Sequence, residues 1–280
     1  MAIYCLEHLD NKSFLELTRR DFRNFMIHAQ DEWHLSAARC NRELSMIHMM
    51  LAYCEDDTDE YEDYDRNASE KIKGIPKEKV REIEFLDDAD ILTLVDRLME
   101  KGDYKKATLV AVFYDTGSRK NEVAQFMKES FLDESKSLTN AVRGKRGKIY
   151  RAVYHSLTKK CVKKYLEQRG EDDVPNLFIT EGGQPASAEN LYDWIVSLRP
   201  MITEITGKDS NFFPHCFRHS YIQNLSTGEH YLCREGNLGK VSLDKIKLLV
   251  NHSDLSTTDS YRKDMSLEEI GELFGIDMNE

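Results

Sequence analysis

A dense acidic block divides the chain and limits how it can fold. Residues 55–65, EDDTDEYEDYD, carry eight acidic side chains in eleven positions. Like charges at this density repel one another in a compact element, so the block is typical of an exposed linker. It predicts a small domain over residues 1–54, an acidic linker over residues 55–80 and a larger domain over residues 81–280. Each of the two domains is long enough to bury a core of its own.

Hydrophobic periodicity predicts helices on both sides of the linker. In NRELSMIHMMLAYC (41–54) apolar residues recur along one helical stripe, so the small domain is predicted to be all-helical. In the larger domain, FLDDADILTLVDRLM (85–99) has the pattern of an amphipathic helix. Its acidic residues, with Asp87 and Asp88 at the start, are expected to be cap or solvent-facing groups.

Two further segments predict how the larger domain presents polar side chains. The run ATLVAVFYDTG (107–117) is apolar nearly throughout and ends at Gly117, which is typical of a buried helix whose C-terminal turn delivers Arg119 to a cleft. The segment 137–155 alternates around GKRG and predicts a β-hairpin with Lys145 at its tip. The predicted fold class is therefore mainly α with a small antiparallel β-sheet (α+β).

The charge distribution favours a polyanionic partner although the net charge is −11. From Arg143 to Lys164 the chain holds nine basic residues and no acidic one. Such a run is compatible with a solvated helix face, but it adjoins the motif TGSRKNE (116–122), which favours contact with DNA phosphates. Surface arginines of the small domain are further candidates, although solvent exposure alone also accounts for them. The predicted DNA-binding residues are Arg19, Arg20, Arg39, Arg42, Arg143, Arg146, Lys148 and Arg151.

Other sequence features bear on the compartment. The six cysteines are scattered without a CxxC pair, and no secretory leader follows Met1. No apolar run reaches the roughly 18 to 20 residues that cross a bilayer. We therefore expect a cytoplasmic, nucleoid-associated protein with no membrane partner.

Several polar residues of the larger domain suit phosphoryl transfer. The hydroxyl of Tyr261 has a reference pKa near 10 and attacks poorly unless its target is made electrophilic. Arg119 and Arg218 can each donate paired hydrogen bonds to phosphate oxygens and stabilise the charge of a pentacoordinate transition state. These residues predict a phosphodiester as the target of Tyr261.

Proton transfer needs additional groups. His215 lies three residues before Arg218, on the same face of a predicted helix, and can accept the tyrosine proton or orient the phosphate. His252 can donate a further hydrogen bond, and Lys145, with Lys148 in reserve, can protonate the leaving 5′-hydroxyl. This set requires neither metal nor cofactor. A zinc site at His215 and His219 lacks a third ligand at a matching spacing.

The motifs that carry these residues resemble those of the tyrosine recombinases, which include phage and transposon integrases. HCFRHS (215–220) resembles the family's H-x-x-R-H signature, and NHSDLSTTDSY (251–261) is similar to its L-G-H-x-x-x-x-T-T-x-x-Y box. TGSRKNE (116–122) resembles T-G-x-R-x-x-E, and GKRGK is similar to the hairpin that carries the family lysine. The resemblance covers residues 80–265 and, more weakly, a core-type DNA-binding domain over 12–54. Val250 and Asn251 replace the usual Leu-Gly, and residues 228–242 lengthen the stretch between Arg218 and His252.

The resemblance implies a function as well as a fold. It implies a two-domain clamp around double-stranded DNA, a covalent 3′-phosphotyrosyl intermediate and strand exchange in a homotetramer on synapsed DNA. It also implies that Glu122 and His219 support the catalytic arginines and histidine. The hypothesis is therefore a site-specific DNA recombinase that is a monomer in solution and works with or without accessory DNA-bending proteins. A catalytically silent DNA-binding member of the same fold and a metal-dependent nuclease are the alternatives.

Overall fold

The computed structural model describes residues 1–57, 59–76, 84–236 and 239–251. The chain divides into two compact units, Met1–Glu82 and Ile83–Glu280, here called the first and second units. The described residues are mostly helical and contain one two-stranded antiparallel sheet. The predicted fold class, mainly α with a small antiparallel sheet, is confirmed.

The first unit is a small helical bundle. Thr18 caps the second helix, because its hydroxyl accepts a hydrogen bond from the backbone of Asp21 at 3.3 Å while the Asp21 carboxylate accepts one from the backbone of Thr18 at 2.8 Å. Phe22 and Leu51, both fully buried, lie in its core. The helices are α1 (Ala2–His8), α2 (Arg19–Asp31) and α3 (Ala37–Asp56).

The segment predicted to be an exposed linker contributes to the first unit. Helix α3 continues to Asp56, so the first acidic residues lie in its last turn. Further along, Asn67 is buried and donates a hydrogen bond to the backbone of His48 at 3.2 Å. The side-chain oxygen of Asn41 accepts a hydrogen bond from the backbone of Ile75 at 2.7 Å. Acidic density alone does not predict this packing, because the contacts form between α3 and residues that follow the acidic block.

The second unit is built around one buried helix. The helices of this unit are α4 (Asp88–Glu100), α5 (Tyr104–Thr116), α6 (Lys120–Val123), α7 (Ser156–Arg169), α8 (Ala188–Val196), α9 (Arg199–Thr206), α10 (Pro214–Thr227), α11 (Tyr231–Glu235) and α12 (Leu243–Leu249). In α5 every residue from position 107 to position 116 is buried, as the apolar run predicts. Helices α4, α7 and α10 pack against α5.

A tight turn and a hairpin position the polar residues of the second unit. Gly117 ends α5 in the left-handed region, at φ 56°, and a Cβ there would lie 2.6 Å from Cδ1 of Tyr221. The predicted hairpin is present: β1 (Val142–Arg143) pairs with β2 (Ile149–Tyr150) in register Val142 to Tyr150. A short 3₁₀ turn, Lys145–Gly147, joins the strands. The turn and the hairpin therefore place Arg119 and Lys145 outside regular helix or strand.

The basic run divides into two parts with different surroundings. Its second half lies on α7, where three lysines form ion pairs with neighbouring acidic side chains. These pairs are Lys160–Asp96 at 3.2 Å, Lys163–Glu134 at 2.8 Å and Lys164–Glu167 at 3.0 Å. The α7 lysines thus have the solvated helix-face environment that the sequence left open. No helix in the described part of the chain has the length and hydrophobicity to span a bilayer.

Candidate active site

Arg119 and Glu122 form the first part of the site. Arg119 is the N-cap residue of α6, and the Glu122 carboxylate accepts a hydrogen bond from its backbone N–H at 2.7 Å. The other carboxylate oxygen of Glu122 accepts one from Nη1 of Arg119 at 3.0 Å. Glu122 is 1 % exposed, so this charge pair is held in a poorly hydrated setting. The carboxylate therefore fixes the direction of the Arg119 guanidinium.

Tyr150 reaches the same carboxylate from the hairpin. Its hydroxyl donates to Oε2 of Glu122 at 2.8 Å. Burial and the negative charge of Glu122 raise the pKa of Tyr150, so the hydroxyl keeps its proton and remains a donor. The sequence does not predict this role of Tyr150, because alternation in a hairpin does not show which side chain meets a distant carboxylate.

Arg218 lies in the interior of the second unit. It is carried by α10 and is fully buried. Its Nη1 donates to the carbonyl of Gly117 at 2.5 Å, and its Nη2 donates to the carbonyl of Val250 at 2.7 Å. These carbonyls lie at the C-terminal ends of α5 and α12, where positive charge is favoured by the helix dipole. Arg218 therefore braces the turn that leads to Arg119.

His215 lies in the first turn of α10, directly after Pro214. Burial lowers the pKa of His215 to about 3, with further contributions from the positive charges of His219, Arg218 and Arg119. The imidazole is therefore neutral near pH 7 and can accept a proton. The rings of His215 and His219 meet edge to face, with centroids 5.0 Å apart.

One cavity of about 500 Å³, here called the Arg119 cavity, gathers several of these groups. Its walls include Arg119, Arg143, Lys145, Tyr192, Phe213 and His215. Three of the predicted catalytic residues, from α6, the hairpin and α10, thus line one space. Arg218 is close enough to influence the charge state of His215. His252 and Tyr261 lie outside the described residues.

The predicted DNA-binding residues lie in both units. The four arginines of the first unit lie on α2 and α3, and those of the hairpin region lie on or beside its strands; the side chain of Arg146 lies outside what the structure describes. Exposed members are Arg19, Arg20, Arg39, Arg42, Arg143, Lys148 and Arg151.

The first unit contains a basic groove that the sequence does not predict. It measures about 360 Å³, and its lining includes Arg23, Lys71 and Lys73. The two lysines follow the acidic block so closely that the block's charge hides them in any segment sum. In the part of the chain that the structure describes, no group of three or more His, Cys, Asp or Glu side chains is arranged to hold a metal ion.

Comparison with known proteins places the chain in a family. The model of the phage integrase family matches residues 84–267, which is more than half of the chain. This match identifies a tyrosine-type site-specific recombinase, as the sequence predicts. The chain belongs to the phage integrase family.

Individual relatives agree with this placement. The SPbeta prophage-derived recombinase-like protein YomM of Bacillus subtilis (strain 168) is 25 % identical over 266 residues, which cover 89 % of this chain and 74 % of the relative. Among solved structures, the Tn1549 transposon integrase in complex with a circular intermediate DNA has a TM-score of 0.68 at 12 % identity, covering 93 % of this chain and 85 % of its own. A lambda integrase dimer bound to a COC′ core site has a TM-score of 0.62 at 13 % identity, covering 89 % and 81 %. At these identities the two structures show a shared fold.

Proposed function

We propose that the protein is a site-specific DNA recombinase that cleaves and rejoins double-stranded DNA through a 3′-phosphotyrosyl intermediate at Tyr261, without a metal ion. The observation that carries the proposal is the Arg119 cavity, in which Arg119, Lys145 and His215 share one space in a member of the phage integrase family. A phosphodiester in that space would meet a cation, a proton acceptor and a proton donor together.

The proposed cleavage step is a transfer of the phosphoryl group. The Tyr261 oxygen forms a bond to phosphorus, the bond from phosphorus to the 5′-oxygen breaks, and the tyrosine proton passes to His215. The Lys145 ammonium gives its proton to the leaving 5′-oxygen. Arg119 stabilises the negative charge of the transition state, with His252 as a further donor. Attack by a 5′-hydroxyl from another strand reverses the step and rejoins the DNA.

The electrostatics of the cavity fit this order of events. His215 is neutral in the absence of DNA because burial and nearby positive charge lower its pKa. An entering phosphodiester adds negative charge beside the arginines, which raises the pKa of His215 and makes it a better base. Binding of the target would therefore activate the proton acceptor.

Arg218 has a proposed role that matches its burial. Its hydrogen bond to the Gly117 carbonyl fixes the turn from which Arg119 projects, and its charge adds to the positive potential at His215. Glu122 and His219 support Arg119 and His215 in the same way. Arg218 thus acts on the phosphate indirectly: it fixes the turn that carries Arg119, and it adds positive charge near His215.

Double-stranded DNA is the proposed partner. Among the solved structural relatives, the Tn1549 integrase was determined with a circular intermediate DNA, XerH with a palindromic difH substrate and lambda integrase with a COC′ core site. We propose that the exposed basic residues of α2, α3 and the hairpin contact its phosphates. We further propose that the protein is a monomer in solution and assembles into a homotetramer on synapsed DNA. Accessory DNA-bending proteins are further participants.

Covalent trapping tests the chemistry. A nicked duplex from the sequences that flank the gene is incubated with protein in EDTA, and adducts are resolved on a denaturing gel. Wild type is expected to form an adduct and Tyr261→Phe none. Tyr192→Phe is the matched control, because Tyr192 is the tyrosine that lines the described cavity, and it should retain the adduct. Loss of the adduct in Tyr192→Phe but not in Tyr261→Phe would assign the nucleophile to Tyr192 instead.

The alternatives give different results in the same assay. DNA binding without an adduct would identify a catalytically silent DNA-binding protein. Cleavage that needs a divalent cation and leaves no protein attached to the DNA would identify a metal-dependent nuclease.

A further inference from the structure

The hairpin that carries Lys145 is attached to the helix that follows Arg119. Gln125, just after α6, holds the first strand: its side-chain oxygen accepts a hydrogen bond from the Arg143 backbone N–H at 2.9 Å, and its Nε2 donates to the Arg143 carbonyl at 3.1 Å. The same Nε2 donates to the carbonyl of Asn121 at 2.6 Å, within α6. One side-chain amide therefore pairs with both backbone groups of Arg143, as a neighbouring strand would.

A second attachment holds the other strand. The Tyr150 hydroxyl donates to Glu122 at 2.8 Å, and Glu122 also belongs to α6. Between the two strands, the backbone of Gly144 lies so close to the same carboxylate that a Cβ there would be 3.0 Å from Oε1 of Glu122. Residues on both sides of Lys145 are therefore held against α6.

These attachments matter because the hairpin is small. Its ladder consists of two residue pairs, Val142–Tyr150 and Arg143–Ile149, and the pairing continues toward the base of the hairpin through an isolated antiparallel bridge between Leu138 and Val153. A two-stranded hairpin of this size is marginally stable by itself, so contacts with the rest of the unit help to fix where its turn lies. Lys145 is exposed and has a long, flexible side chain, which a fixed backbone confines to the region of the Arg119 cavity.

We propose that Gln125 and Tyr150 are positioning residues for Lys145: by holding the hairpin on α6, they place the lysine ammonium where it protonates the leaving 5′-oxygen. The inference rests on the proposed function, in which Lys145 is the general acid. A rival explanation exists for Tyr150 alone, because its hydroxyl also contacts Glu122 and so could act through Arg119. The two explanations differ in how cleavage responds to the leaving group.

A substrate with a sulfur leaving group separates them. In a 5′-bridging phosphorothiolate, sulfur replaces the bridging 5′-oxygen, and the thiolate leaves without taking a proton because its conjugate acid is far stronger than an alcohol. The tyrosine–phosphorus bond forms and the phosphorus–sulfur bond breaks as before. Variants that impair only proton donation should therefore recover on the sulfur substrate. Variants that impair the hold on the phosphate should remain slow.

The experiment compares single-turnover adduct formation on oxygen and sulfur substrates. Tyr150→Phe and Gln125→Ala are expected to be about 10-fold or more slower than wild type on the oxygen substrate, as a fraction of a general acid's contribution of about 10²–10⁴-fold. On the sulfur substrate the rates of adduct formation of both variants should lie within about twofold of the wild-type rate. Lys145→Ala gives the rates of adduct formation expected when the general acid is lost. Arg119→Ala should form the adduct slowly on both substrates.

Tyr154→Phe is the matched control for the lost hydroxyl. Tyr154 follows the hairpin and donates a hydrogen bond of 2.7 Å to the carbonyl of Ser130, away from α6. Its substitution should lower the melting temperature about as much as Tyr150→Phe while leaving both cleavage rates unchanged. Gln125→Glu, which keeps the acceptor for the Arg143 N–H and loses the donor, serves if Gln125→Ala does not fold.

Three results would overturn the inference. Cleavage of the oxygen substrate at the wild-type rate by both variants would show that the hairpin needs no such attachment. Equal slowing on both substrates would assign Tyr150 and Gln125 to the Arg119 side of the site. If the wild-type protein forms no adduct on either substrate, the proposed function is wrong, and Lys145 then has no leaving group to protonate.

Discussion

Replacing Arg218 is expected to destabilise the second unit, apart from any effect on catalysis. Its guanidinium is fully buried and bonds the carbonyls of Gly117 and Val250, which end two different helices. Lysine at this position keeps the charge but has a single ammonium, which cannot reach both carbonyls in the paired geometry of a guanidinium. Methionine keeps much of the volume and loses both hydrogen bonds.

The magnitude follows from those two contacts. A hydrogen bond to a charged group contributes about 1.5–3 kcal/mol, so Arg218→Lys should lower the free energy of unfolding by about 2 kcal/mol. Arg218→Met leaves two buried carbonyls without this donor and should lower it by about 4 kcal/mol. Arg119→Lys is the matched control: its side chain is 24 % exposed and lysine can still pair with Glu122, so the loss should stay below about 1 kcal/mol.

Urea unfolding can measure these differences in the second unit alone. The chain has two tryptophans, Trp33 in the first unit and Trp194 on α8 in the second. In a Trp33→Phe background, fluorescence reports unfolding around Trp194, and circular dichroism follows the whole chain. The reasoning fails if Arg218→Met unfolds at the same urea concentration as the parent, or if Arg119→Lys loses as much stability as Arg218→Lys.

Three further outcomes are expected. Gly117→Ala should lower the melting temperature by several degrees, because alanine is strained at positive φ and its Cβ would collide with Tyr221; an unchanged melting temperature would contradict this. Burial lowers the pKa of His230 to about 3, so the histidine is neutral when folded and takes up a proton on unfolding below its ordinary pKa of about 6.5. The stabilising contribution of the neutral His230 is full above that pH and is lost as the pH falls toward 3. His230→Asn should therefore reduce the slope of the unfolding free energy against pH, between pH 6 and 4, by up to about 1.4 kcal/mol per pH unit, as measured by urea titration. Joint substitution of Lys71 and Lys73 by alanine should weaken DNA binding and reduce the slope of log affinity against log salt by up to about 2, while a slope identical to wild type would show that the groove of the first unit does not contact DNA.

Local signals in the sequence predict much of the second unit. The apolar run of α5, its terminal Gly117 and the alternation of the hairpin each depend on neighbouring residues, and each is found where expected. That Arg119, Lys145 and His215 lie around one space was expected because the motifs that carry them resemble those of a known family. Hydrophobic period and motif spacing were sufficient for these features.

Pairings between distant polar residues could not be predicted in this way. Tyr150 bonds a carboxylate 28 residues away, and Gln125 bonds a strand 18 residues away; neither pairing leaves a periodic trace in the sequence. The contacts become visible only when α6 and the hairpin are packed together.

Asp88 is a buried residue whose hydrogen-bond partners also could not be predicted from the sequence. Expected to be a cap or solvent-facing group, it is instead 3 % exposed and accepts hydrogen bonds from the Tyr114 hydroxyl at 2.7 Å and the Tyr231 backbone at 2.8 Å. Arg234 forms an ion pair with it. Tyr231 and Arg234 both come from the long stretch 228–242, so part of this stretch packs against the Asp88 carboxylate.

The paired lysines of α7 affect how such a protein would search a genome. Because Lys160, Lys163 and Lys164 already have acidic neighbours, a passing duplex must compete with those carboxylates and gains little from the release of its own condensed ions. Residence on arbitrary sequence would then be brief, so the protein would move between DNA sites mainly by dissociation and rebinding, at the expense of affinity for DNA in general.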